Sequence, residues 1–197
     1  MRLISARQVW HDATLTGCRS SFEALVEAER LGIRVQTTDI SHTSGQIVHS
    51  VLAGHVLSAI DKLPSHVRAF GNAMYAANPS ADDLDTARHI VFNMAYTTYN
   101  SQMYAKKYDK ALYVAMAVFD GYRRRHQGGQ SEGQDMFPSP ASFRGYLEDE
   151  YGVKLQSTAW DREWGDFIRC CETACDDMDR LSLAPIGALL YRLKDTA

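Results

Sequence analysis

The 197-residue sequence has no apolar run approaching the roughly 18 residues that span a bilayer. Its first seven residues also lack the apolar segment and cleavage site of a secretory leader. We therefore expect a cytoplasmic protein without a membrane partner. A net charge of only -3, together with 45% hydrophobic residues, excludes a disordered chain, because disorder needs high charge and few apolar side chains.

Cysteine is scarce, and the four residues at positions 18, 170, 171 and 175 form neither the CxxC pairs of a zinc site nor a secreted disulfide framework. We expect reduced, buried thiols. His49 and His55 are six positions apart, which places them on different sides of a helix, so we expect no metal site there.

Motifs that carry catalysis are missing as well. The chain has no glycine-rich phosphate loop, no HExxH pair and no GxSxG elbow. We therefore expect a protein that is not an enzyme and that uses no cofactor.

Strict alternation of apolar and polar residues, the signal of a half-buried strand, is confined to residues 33–36. Helical spacing recurs through most of the chain, which predicts a mainly α fold with a multi-helix body. The predicted helices of the body lie at 21–31, 46–62, 67–76, 84–98 and 108–122. Prolines at the breaks 63–65 and 78–80 separate the second, third and fourth of these helices, and the second and third should form a hairpin.

Residues 127–134 contain three glycines and no apolar side chain, a composition typical of a flexible connector. We therefore divide the chain into a helical body (1–126), a connector (127–136) and a C-terminal unit that ends in further helices (137–197). Charge is unevenly spread: residues 1–137 have 14 basic and 13 acidic side chains, whereas residues 138–197 have 7 and 11.

The C-terminal unit has the order of a helix-turn-helix. One predicted helix begins at residues 138–141 and runs to about Tyr151, where Gly152 supplies the turn. Ser157 or Thr158 can cap a second helix with an apolar face from Trp160 to Met178. In such a motif the second helix lies in the major groove of DNA and its first turn contacts base edges. The alternative is an ordinary helical hairpin with a solvated polar face.

Side chains suited to DNA contacts occur in this turn and in the first two turns of the second helix. They are Lys154, Gln156, Ser157, Thr158, Asp161 and Arg162. Glutamine can pair with adenine and arginine with guanine, while a hydroxyl can hold a phosphate beside a helix N-terminus.

A second basic patch consists of Arg123, Arg124 and Arg125 and directly follows the periodic segment 108–122. Lys106, Lys107 and Lys110 lie on the N-terminal part of the same predicted helix. These arginines can track a phosphate backbone. The alternative is a solvated helix end, where cations suit the helix dipole.

The C-terminal unit resembles that of the lambdoid-phage Q transcription antitermination proteins. The resemblance rests on a helix start and on a turn that leads into a long amphipathic helix. These are Pro138-Ser139-Pro140-Ala141-Ser142-Phe143-Arg144 and Leu155-Gln156-Ser157-Thr158-Ala159-Trp160-Asp161-Arg162. The helix from Lys110 to Arg123 resembles the family's helix at the same relative place. Residues 1–100 suit a divergent branch of the family, such as the AlpA-type lysis regulators of pseudomonads.

The resemblance implies a protein that binds a promoter-proximal element in double-stranded DNA. It also implies partners, namely bacterial RNA polymerase paused with sigma factor, on which the family suppresses pausing and termination. The family's phage lambda member carries a four-cysteine zinc insertion where this chain has residues 127–134, so zinc is not carried over. A DNA-binding unit with an excess of acidic residues binds DNA weakly on its own. Attachment to polymerase would raise its effective concentration at the DNA element. The alternatives are a small-terminase-like packaging protein and a helical interaction protein without a DNA role.

Overall fold

The computed structural model describes residues 5–17, 43–99, 102–127, 135–155 and 159–195. Every regular element in these ranges is helical, which confirms the mainly α fold class. The elements are α1 (Ala6–Gly17), α2 (Thr43–Asp61), α3 (Ser65–Tyr75), α4 (Ala81–Thr98), α5 (Ala105–His126), α6 (Pro140–Tyr151), a π-helical turn (Asp161–Gly165) and α7 (Asp166–Asp195). The helix predicted at 21–31 and the alternation at 33–36 lie outside the described residues.

The helices begin and end close to the predicted places in the middle of the chain. The breaks at 63–65 and 78–80 separate α2 from α3 and α3 from α4. Ser80 caps α4, because its side chain accepts the backbone N–H of Asp83 at 3.0 Å, and Asp82 and Asp83 suit the positive end of the helix dipole. Helix α1 was not predicted. The apolar face predicted for the second helix of the C-terminal unit ends at Met178, and the further helical structure expected beyond it continues the same helix, α7, to Asp195.

Helix α7 lies at the centre of the fold and packs against α1, α2, α3, α4 and α5. Its fully or almost fully buried face includes Phe167, Cys171, Cys175, Met178 and Ile186. Burial raises the pKa of Cys171 and Cys175, so both thiols favour the protonated form, and the prediction that these thiols are buried is confirmed. Cys170 is only half-buried, and Cys18 lies outside the described residues.

One hydrophobic core extends across the predicted domain boundary. Phe119 of α5 packs edge-on against Phe70 of α3, with ring centroids 5.7 Å apart, and Phe92 of α4 packs against Phe167 of α7. Phe143 and Leu147 of α6 are buried in the same cluster. The C-terminal unit therefore shares its core with the helical body. No helix in the described part of the chain is both long and apolar enough to cross a membrane.

Helix α1 is anchored by Trp10, which is completely buried. The indole ring lies directly against the backbone of Gly71 in α3, so that a Cβ atom at Gly71 would stand 2.3 Å from Trp10 Cη2. Real Cβ contacts are not that short, and a ring held in a close-packed core has little room to shift. Glycine at position 71 therefore permits α1 to dock.

Gly71→Ala should lower the free energy of unfolding by about 1–3 kcal/mol through overpacking against Trp10. Gly54→Ala is the matched control, because Gly54 lies inside α2 and no atom lies within 4 Å of the place that an added methyl group would occupy. The control should raise stability by up to about 1 kcal/mol. Urea denaturation measures both, and equal effects of the two substitutions would contradict the close approach of Trp10.

Candidate nucleic-acid interface

The segment predicted to read DNA begins with helix α6. The side chain of Ser139 caps the helix by accepting the backbone N–H of Ser142 at 3.2 Å, and Pro140 occupies the first turn. At the other end Gly152 adopts a left-handed backbone with φ of 66°, and its N–H donates to the carbonyl of Glu148 at 3.0 Å. The predicted helix start and glycine turn are both confirmed.

A cluster around Asp120 fixes α6 on α5. The phenol groups of Tyr146 and Tyr151 both donate to Asp120 Oδ2, at 3.1 and 2.7 Å. Arg88 of α4 pairs with the other carboxylate oxygen, with Nη2 3.0 Å from Oδ1. The position of α6, and hence of the turn after it, is set by three side chains that donate hydrogen bonds to one carboxylate.

The protonation of these tyrosines is stabilised by their surroundings. Burial and the Asp120 carboxylate raise the pKa of Tyr146 to about 12, and the same causes raise the pKa of Tyr151 further. Both phenols are therefore donors at any physiological pH.

The structure places three of the six predicted reading residues. Lys154 is exposed in the turn, with its Nζ 2.7 Å from Glu148 Oε1, and Asp161 and Arg162 are exposed in the π-helical turn. Gln156, Ser157 and Thr158 lie outside the described residues. Trp164 is buried, as predicted, whereas Trp160 is half-buried against Phe143 with ring centroids 5.5 Å apart. Whether the two helices form a DNA-reading helix-turn-helix stays a prediction.

The start of α5 brings further lysines to this turn. Lys110 Nζ donates to the backbone carbonyl of Lys154 at 2.9 Å, and Lys107 Nζ lies 5.2 Å from the centre of the Trp164 ring. We define the lysine surface as Lys106, Lys107, Lys110 and Lys154. The sequence pattern shows the three α5 lysines but not their place beside the turn, because 44 positions separate Lys110 from Lys154.

Exposed tyrosines adjoin the lysine surface. Tyr104, which precedes α5, has 70% of its surface exposed, and Tyr108 on the first turns of α5 has 41%. Tyr96 at the end of α4 stacks edge-on against Tyr108 with ring centroids 5.1 Å apart. Basic side chains interspersed with exposed aromatic rings suit contact with phosphates and bases.

Acidic side chains also lie close to this region. Glu148, Asp149, Glu150, Asp161 and Glu163 are all exposed on α6 or the π-helical turn. They oppose the attraction of the lysines for a polyanion, so the surface is of mixed charge.

The three arginines at the other end of α5 differ in their surroundings. Arg123 is half-buried and donates from Nε to the carbonyl of Ala73 at 2.7 Å. Arg125 Nη2 lies 3.4 Å from Glu172 Oε1, whereas Arg124 is exposed. Lys107 and Arg124 are separated by about 25 Å along the helix axis, so the two basic regions of α5 are distinct surfaces.

No set of three or more His, Cys, Asp or Glu side chains within the described ranges is arranged to hold a metal ion. Comparison of the chain with protein-family models, with curated proteins and with solved structures gave no match.

Tyr146→Phe combined with Tyr151→Phe should lower the free energy of unfolding by about 1–3 kcal/mol at neutral pH, because Asp120 loses two donors. Unfolded tyrosine ionises near pH 10, whereas the folded state holds both phenols protonated to about pH 12 or above. Their contribution is therefore present below about pH 10 and is lost as the pH rises through the folded pKa values.

Chemical denaturation between neutral and alkaline pH measures this contribution. The double variant should lose stability less steeply with rising pH than the wild type. Tyr191→Phe is the control, because Tyr191 has 69% of its surface exposed. If the control and the double variant behave alike, the Asp120 cluster does not hold α6.

Proposed function

We propose that this protein is a transcription antitermination factor that contacts duplex DNA through the turn between α6 and α7 and through the lysine surface. The observation that carries the proposal is the hydrogen bond from Lys110 Nζ to the carbonyl of Lys154. It joins the turn that resembles the Q-type antitermination proteins to the basic start of α5. The two features on which DNA binding depends, a reading segment and cations for phosphates, are thereby neighbours.

Roles for individual side chains follow from their exposure and chemistry. Lys106 and Lys154 are exposed and suit phosphate oxygens, and a phosphate can replace Glu148 as the partner of Lys154. Arg162, also exposed, carries the planar donor fork that pairs with guanine in the major groove. The phosphate contacts fix the register, and Arg162 contributes sequence preference.

The mixed charge of the surface supports a DNA-binding protein that also depends on attachment to a second partner. Exposed carboxylates on α6 and the π-helical turn weaken nonspecific binding to DNA. The resemblance implies that paused RNA polymerase and sigma factor supply the second attachment. Once the protein is bound to polymerase, its effective concentration at the nearby DNA element is high, so a weak contact with DNA suffices. Such a protein acts where polymerase and the DNA element occur together.

Removing lysines from the surface should weaken duplex binding. Lys110→Ala with Lys154→Ala should reduce the affinity and lower the slope of log affinity against log salt by about 1 for each phosphate that the variant no longer neutralises. Fluorescence anisotropy with a labelled duplex over a salt series measures both quantities. Arg124→Ala is the matched control, since it removes an exposed cation from the far end of α5. If the control loses as much affinity as the double variant, DNA binding depends on overall charge, and the lysine surface is not the contact surface.

The function itself is tested by transcription in a purified system. The wild-type protein should increase read-through of a terminator on templates that carry the promoter-proximal element, and the lysine double variant should not. Scrambling the element should abolish the effect for the wild type. Equal read-through with the scrambled element would refute loading at a specific DNA site, and no read-through on any template would refute antitermination.

A further inference from the structure

A cavity of 610 Å³ opens between α1, α3 and the C-terminal end of α5, on the opposite end of α5 from the lysine surface. This volume is within the range of sites that hold small organic molecules. One part of its lining is apolar and consists of Met74, Ala76, Ala77 and Pro79. The rest is polar or aromatic: Arg7, His11, Arg123 and His126 carry nitrogen donors, and the remaining side chains are Ser5, Gln8, Tyr75 and Gln127.

Arg123 contributes a positive charge to the cavity that no carboxylate balances at close range. Its Nε bonds to the carbonyl of Ala73, the side-chain oxygen of Gln127 accepts from Nε and Nη2 at 2.9 and 2.8 Å when its amide is turned, and among the described residues Arg123 forms no ion pair. Burial lowers the pKa of Arg123, the Asp120 carboxylate opposes this effect, and the nearby cation Arg88 adds a smaller lowering. A half-buried guanidinium without a counterion is costly, and an anion in the cavity would relieve that cost.

Arg7 is held at the cavity by a carboxylate on α7. Its Nη2 lies 2.9 Å from Asp179 Oδ2, and its guanidinium carbon lies 5.7 Å from the centre of the Tyr75 ring. The hydroxyl of Tyr75 donates to the other oxygen of Asp179. Asp179 is thus engaged by two donors, while the guanidinium of Arg7, which has five N–H groups in all, keeps donors for a ligand.

The imidazole of His126 lies in the same positive surroundings. Burial lowers its pKa, and Arg7 and Arg125 lower it further against the opposing effect of Asp179 and Asp176. In both His126 and Arg123, burial is the main cause that disfavours the charged form. A bound anion would stabilise the charge of Arg123 and would favour protonation of His126.

We propose that this cavity binds a small organic molecule that carries a phosphate group, with Arg123 and Arg7 on the phosphate and the apolar wall on the organic part. Two guanidinium groups match the geometry and charge of a phosphate dianion. Ala76, Ala77 and Pro79 offer apolar contact to a ring or short chain. The proposal goes beyond antitermination and does not depend on it, because neither arginine belongs to the lysine surface.

Calorimetric titration of the full chain with inorganic phosphate and with phenyl phosphate tests the proposal. Both should bind with saturation at one site, and phenyl phosphate should bind more tightly because its ring gains apolar contact. Arg123→Gln should weaken phenyl phosphate about tenfold or more, as expected for the loss of a charged hydrogen bond. Arg124→Gln, which changes the neighbouring exposed arginine outside the cavity lining, should leave the affinity unchanged.

A second variant tests the cavity without altering charge. Ala77→Leu places three more carbon atoms at the lining and should weaken phenyl phosphate while thermal unfolding stays cooperative. No saturable binding, or equal weakening by Arg123→Gln and Arg124→Gln, would overturn the proposal. Displacement of phenyl phosphate by a short DNA duplex would also overturn it, since the cavity would then belong to a nucleic-acid surface.

Discussion

Burial of the apolar face of α7 against five other helices is the constraint on which the described structure depends. The face extends from Phe167 to Ile186, and α1, α2, α3, α4 and α5 all pack against the helix. The position of α7 in the sequence does not reveal this role, because α7 follows the predicted connector and is predicted to belong to a separate unit. The lysine surface and the cavity lie on helices that pack against α7, and the turn proposed to contact DNA connects α6 to α7.

Two carboxylates, the buried Asp179 and the partly buried Asp120, fix the orientation of the packed helices. Apolar burial is not directional, whereas hydrogen bonds fix distances and angles. Asp179 joins α7 to Tyr75 of α3 and Arg7 of α1, and Asp120 joins α5 to α4 and α6. Asp179 binds one tyrosine hydroxyl and one arginine, and Asp120 binds two tyrosine hydroxyls and one arginine, so each cluster combines a charge pair with a neutral donor. One cluster places the cavity lining and the other places the turn beside the lysine surface.

Periodicity in the sequence predicted α2 to α6 well, because their apolar positions and their proline or glycine boundaries are local signals. It missed α1, whose docking depends on Trp10 fitting against Gly71 rather than on a long apolar stripe. It predicted separate helices at the C-terminal end rather than one continuous α7, since Pro185 and Gly187 are typical of a helix end. Burial of Ser182 and Ile186 against neighbouring helices outweighs that local preference. The exposure of Lys154, Asp161 and Arg162 fits a reading role proposed from sequence, whereas the partners of Arg123 and Arg125 come from distant segments that no local pattern reveals.

The bond between Arg7 and Asp179 spans 172 positions, and this separation has a consequence for synthesis. Translation delivers α1 to the solvent long before it delivers the helix that carries Asp179. Until α7 has emerged from the ribosome, α1 can pack on α2 and α3 but its Arg7 lacks the carboxylate partner. The N-terminal helix can therefore dock through Trp10 early, whereas the ion pair that fixes it to α7 belongs to the last stage of folding.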